Sequence, residues 1–152
     1  MKPALLGLLV LLALAAALSS GRASAGGASG PLAAGGGHSC AVTPTGGAKC
    51  WGDNTYGQLG DGTNLGRTTP VDVTGLTSGV DSVAAGLSFT CALTTAGAVK
   101  CWGRNGDGQL GDGTRTDRSE PVQVSGLDGG VGAISAGAGH ACALLLEGGV
   151  VC

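Results

Sequence analysis

The sequence predicts an all-β protein of short strands and tight turns, and three observations carry that expectation. Glycine supplies 32 of 152 residues, about three times its usual ~7% share, and each glycine inside a helix costs about 1 kcal/mol against alanine. No G-x-y period is present, which excludes a collagen-like helix. Only 12% of residues are charged and mean hydropathy is +0.32, a composition that argues against disorder. Finally, a unit of 51 residues recurs along the chain. Periods of about 20–50 residues mark stacked or radially arranged units that bury their faces only against one another.

Residues 1–25 read as a secretory signal peptide outside the fold. Met1-Lys2 supplies a positive charge, Ala4 to Leu18 is uncharged and apolar, and Ala23-Ser24-Ala25 offers small residues for cleavage. The apolar run is short of the roughly 20 residues of a spanning helix, so no membrane span is expected after cleavage. Residues 26–34 read as a flexible lead-in. Losing Lys2 and Arg22 leaves 6 basic and 10 acidic residues, a net charge of −4. A nucleic-acid binder normally carries a basic patch, so duplex binding is disfavoured.

The repeat divides the remainder into 35–85, 86–136 and a truncated third copy, 137–152. Cysteines fall at 40, 91 and 142 and again at 50, 101 and 152, while Trp51 recurs as Trp102 and Pro70 as Pro121. Aligned without gaps, the first two copies share 26 of 51 positions. Val80–Ala85, Phe89–Thr94, Ala98–Trp102 and Thr69–Val73 are Val/Thr/Ala-rich segments between glycines, and read as strands.

The best-defined element is a hairpin. With Cys40 facing Cys50, Val42 faces Ala48, Thr43 faces Gly47, and Pro44-Thr45-Gly46 forms a three-residue loop. Such loops combine a type I turn with a left-handed residue, where glycine fits best. Gly46 recurs there as Gly97 and Gly148. Facing cysteines on paired strands lie within bridging range. Of the 15 possible pairings of six cysteines, the repeat selects Cys40–Cys50, Cys91–Cys101 and Cys142–Cys152. The C-x9-C spacing suits zinc poorly, and an exported protein favours disulfides.

The stretches His38–Val42, Cys50–Gly52, Asn54–Thr63 and Pro70–Leu76, repeated from Phe89 to Leu127, resemble the regulator of chromosome condensation repeat family. The paired cysteines are most similar to its exported, bacterial-type members, within a propeller superfamily that includes β-lactamase-inhibitory-protein-like chains. The resemblance implies a β-propeller, usually of seven four-stranded blades, with sequence repeats staggered against blades. Two and a half repeats amount to a partial propeller, expected to be a fragment whose remainder lies beyond residue 152. Unpaired strand edges invite association, so the isolated chain is expected to be unstable or self-associating.

Several motifs have a structural and a functional reading. Gly57–Thr63 resembles a phosphate-cradling loop but lacks the Lys-Ser/Thr of a P-loop, and reads as a turn packing Leu59 and Leu110. Calcium through Asp53, Asn54 and Asp61 lacks EF-hand spacing, and Asp53 becomes Arg104. His38 and His140 share a position with Phe89, which marks it as space-filling. Trp51 and Trp102 read as packing anchors, with an aromatic ligand platform as the alternative. No metal site, cofactor or catalytic group is expected.

Positions that differ between copies are freer to serve a partner. Tyr56, Arg104, Asp107, Arg115 and Asp117 lie in loops, where binding residues tend to sit on rigid scaffolds. Tyr and Arg are favoured at the centres of interfaces. The leading expectation is a secreted or cell-envelope protein-interaction module without catalysis, binding an unidentified protein. Alternatives are inhibition of a secreted enzyme and, from the resemblance, nucleotide exchange on a small GTPase. The few aromatics disfavour a carbohydrate binder.

Overall fold

The computed structural model describes residues 30–152, so the expected signal peptide (1–25) and the first part of the lead-in lie outside the described residues. Eleven strands are present among the described residues: β1 (Leu32–Ala34), β2 (His38–Val42), β3 (Ala48–Gly52), β4 (Arg67–Asp72), β5 (Val80–Ala85), β6 (Phe89–Thr94), β7 (Val99–Gly103), β8 (Arg118–Gln123), β9 (Val131–Ala136), β10 (Ala141–Leu145) and β11 (Val150–Val151). They form three antiparallel meanders, β1-β2-β3-β4, β5-β6-β7-β8 and β9-β10-β11. The fold is all-β, and its sheets are blades of the propeller type.

The hairpin follows the expected register. Cys40 faces Cys50 and Val42 faces Ala48, the Thr43 N–H donates to the Gly47 carbonyl at 2.7 Å, and Gly46 takes φ +78°. All three disulfides form within their own hairpins. Both complete sheets carry a bulge between the third and fourth strands, at Cys50/Gly52 and Cys101/Gly103. The two central strands β5 and β6 match the sequence reading residue for residue.

The lead-in joins the fold where the sequence suggested flexibility. Leu32–Ala34 pairs with β2, Leu32 opposite Ala41 and Ala34 opposite Ser39. Without it, β2 would present an unpaired edge, and one alternating triplet with Ala33 buried is enough to cover it. Sequence repeats and sheets are staggered: residues 35–85 supply β2, β3 and β4 of one sheet and β5 of the next.

The core lies in the seams between sheets. In the first seam Cys40, Cys50, Leu59 and Val73 pack against Val83, Ala92 and Trp102. In the second, Cys91, Cys101, Leu110 and Val99 meet Ile134 and Ala143. Adjacent residues of β7 therefore serve opposite seams, Cys101 one and Trp102 the other, as strand alternation requires. Glycine is needed at the start of each copy: a Cβ on Gly35 would lie 2.4 Å from the His38 ring, and one on Gly86 would lie 2.0 Å from Phe89.

Candidate interaction loops and the seam beneath them

The longest connections, from β3 to β4 and from β7 to β8, are built alike around one buried asparagine. Asn54 Nδ2 donates to Asp61 Oδ1 at 3.1 Å and to the carbonyls of Thr63 and Leu65 at 3.0 and 3.1 Å, while its Oδ1 accepts the Leu59 N–H at 2.9 Å. Asn105 repeats the set with Asp112, Thr114, Thr116 and Leu110. A buried amide must satisfy its hydrogen bonds, and one Asn here pins a loop of about ten residues. This fixes Leu59 and Leu110 in their seams, both without solvent exposure.

The aspartate of each brace also meets an arginine. Arg67 reaches Asp61 through Nε at 3.0 Å and Nη2 at 2.9 Å, and Arg118 meets Asp112 at 2.9 Å. Desolvation pushes the Asp112 carboxyl up. Donors from the Thr114 hydroxyl and N–H, Arg118 and Asn105 more than offset this and lower it to about 2. Asp61 is lowered by the same balance. Asn54 and Asp61, two of the three residues weighed above for calcium, are thus engaged in holding the loop.

On this scaffold the five candidate contact residues fall into distinct roles. Tyr56 is 39% exposed at the tip of the first loop. Arg104 and Asp107 pair with each other at 3.1 Å across an exposed i,i+3 step. Asp117 accepts the Asn105 N–H at 2.6 Å, so it anchors its loop as well as facing solvent. Arg115 is exposed. The first loop is tied to the second sheet by the Gly62 N–H, which donates to the Ser119 carbonyl at 3.0 Å.

A polar chain that single-sequence reasoning did not foresee crosses the first seam. The Thr90 hydroxyl donates to the Gln58 carbonyl at 2.9 Å and so accepts from His38 Nε2 at 2.8 Å. Trp102 Nε1 donates to the same carbonyl at 2.9 Å. His38 is buried with Nδ1 unpartnered, which matches a neutral ring. Burial lowers its pKa, against Asp53, which raises it. The signal was available only in pairs, because Thr90 and Gln58 belong to different repeats. Phe89 is fully buried at the position equivalent to His38, whereas His140 is exposed.

The model of the regulator of chromosome condensation (RCC1) repeat matches residues 48–93 and 96–144, and a second model of the same repeat matches 32–58 and 80–109. The human probable E3 ubiquitin-protein ligase HERC4 is 39% identical over 116 residues, 74% of this chain and 11% of that protein. Human WBSCR16 superposes with a TM-score of 0.65 at 29% identity, over 78% of this chain and 31% of that one. Yeast RCC1 (Prp20), solved with Kap60 bound, gives 0.64 at 25%, over 78% and 28%. The chain spans about a tenth of the length of the human ligase and under a third of the two solved chains. With repeat models covering most of the described residues and propeller structures superposing on them, the chain belongs to the regulator of chromosome condensation repeat family.

Proposed function

We propose that this chain is an exported, non-catalytic protein-interaction module whose partner is read by the β3–β4 and β7–β8 loops. The observation that carries the reading is the pairing of constant braces with variable tips. Asn54 and Asn105 hold their loops through equivalent hydrogen bonds, yet Tyr56 stands where the other copy has Asp107, and Asn64 where it has Arg115. A scaffold that fixes backbone while varying exposed side chains is how binding loops gain specificity. Yeast RCC1, similar in fold, has been solved with a bound protein, which supports a protein partner. Three hairpin disulfides fit an oxidising compartment. They support secretion or a cell-envelope site, and kinship with the exported, cysteine-paired members of the family.

The test is cross-linking capture from the extracellular medium with the wild-type chain and a Tyr56→Ala/Arg104→Ala/Arg115→Ala variant. A partner retained by the first and lost by the second is the expected result. Equal capture by both rejects the loop assignment. Thiol counting on the exported protein should find none of the six cysteines free; six reactive thiols would remove the compartment reading.

A further inference from the structure

The first braced loop is tied to a titratable side chain, and the second is not. His38 is 3% exposed, and its Nδ1 is the one buried side-chain polar atom without a hydrogen-bond partner among the described residues. Glycines close in on that edge of the ring: a Cβ on Gly35 would lie 2.7 Å from Nδ1 and 2.5 Å from the Gly86 carbonyl oxygen. The other edge is occupied, because Nε2 donates to the Thr90 hydroxyl, which donates in turn to the Gln58 carbonyl. This seam suits a neutral ring. A protonated one carries a second N–H, at Nδ1, which has no acceptor there.

From Gln58 the hydrogen bonds run outward to the loop tip. Its Oε1 accepts the Tyr56 N–H at 2.9 Å, and its Nε2 donates to Asp53 Oδ2 at 2.6 Å. Asp53 Oδ1 accepts from the Thr55 hydroxyl at 2.7 Å and the Thr55 N–H at 3.2 Å. Asp53 and Gln58 thus clasp Thr55 and Tyr56 between them. Around the His38 ring, Gly35, Gly86, Gly52 and Thr90 carry no charge, and Asp53 is the one charged group that acts on it. The second loop keeps the clasp, since Gln109 Oε1 accepts the Asp107 N–H at 3.0 Å. Phe89 there replaces His38, however, and Arg104 replaces Asp53.

We propose that His38 makes the first loop acid-sensitive: protonation at Nδ1 draws Asp53 away from Gln58 and Thr55 and frees the Tyr56 tip, while the second loop keeps its place. Histidine is the side chain that changes charge between pH 5 and 8. A buried charge is costly unless it is paired, and Asp53 is the group able to pair it. The carboxylate cannot serve the imidazolium and the clasp alike. Burial lowers the pKa of the ring, against the pull of Asp53, so the clasp holds at neutral pH and loosens in acid. This regulation rests on the loop reading above: a partner gripped at Tyr56 is let go in an acidic medium.

Amide spectra of the full disulfide-bonded chain, isotope-labelled and titrated from pH 7.5 to 5, test this without a partner. The Thr55, Tyr56 and Gln58 amides should shift together with the His38 ring, at a midpoint below 6.5. The Tyr56 N–H should lose about tenfold in exchange protection, while the Asp107 and Gln109 amides stay in place. His38→Phe should silence the Tyr56 response. So should Asp53→Asn, which keeps an acceptor but removes the charge, and which serves if the first variant does not fold. Tip amides that stay still while His38 titrates, equal responses at Tyr56 and Asp107, or a Tyr56 response that survives both variants would each overturn the proposal. Partner capture, repeated at pH 7.5 and 5.5, separates the regulation from the loop reading. Capture that depends on Tyr56 but is equal at both pH values overturns the regulation alone. Capture unchanged by the triple loop variant rejects the loop assignment, and the amide titration still decides the acid response.

Discussion

Trp51 and Trp102 occupy equivalent register positions, opposite Ser39 and Thr90, yet only Trp102 is enclosed. Trp102→Ala should therefore cost about 3–5 kcal/mol in denaturant unfolding, and Trp51→Ala well under half of that. The sequence reads both as packing anchors, because one strand does not reveal whether its face meets a neighbour. His38 carries a pH consequence. Its folded pKa lies below the unfolded value of 6.5, so the unfolded chain binds more protons as pH falls through that range. Stability should be full above pH ~6.5 and decline as the medium is acidified below it. His38→Phe, the residue found at position 89, should flatten that part of the profile in thermal melts at pH 7.5 and 5.5. An unchanged slope would show that another group sets it.

At the scale of elements, the braced loop does the positioning. Asn54→Ala strips the buried Leu59 N–H and two carbonyls of their partner, and each buried polar group left unpaired costs about 1–3 kcal/mol. A loss of about 3 kcal/mol and faster amide exchange across residues 57–65 are expected. Asp112 is held at about 2 against 3.8 for the free group. Its contribution is present above pH ~4 and fades as pH falls through ~2. Asp112→Asn should lower stability at neutral pH and make the remaining acid loss shallower between those values. Hairpin register and turn were legible in the sequence because Gly46, Gly97 and Gly148 mark the left-handed position three times over. Strand β1 was not, since Leu-Ala-Ala among glycines has no strand signal, and pairing with β2 alone makes it one. The Asn54 and Asn105 braces escaped notice because a repeated asparagine in a polar loop looks solvated until burial shows it is not.

At the scale of the molecule, the main contacts among the described residues join the first sheet to the second and the second to the third, and such arrays owe their cooperativity to the seams. The first seam is closed by Trp102 and the His38–Thr90–Gln58 chain. The second has a cavity at its outer end. The third sheet should accordingly lose amide protection before the first two, and Trp102→Ala should split the melt by detaching the first sheet as well. Exchange that leaves all three sheets together would argue against seam control. The period of 51 made the architecture legible from cysteines and tryptophans alone. How completely each seam closes was not, because it depends on residues 51 positions apart meeting across sheets.

Each disulfide joins residues ten apart that already face each other in one hairpin. None of them ties one sheet to another, so under tension the chain is free to peel apart sheet by sheet. What the bonds withhold is length: a loop of ten residues spans at most ~35 Å when extended. A single molecule pulled from its ends should thus come out about 100 Å longer after reduction, in three equal steps, one for each hairpin.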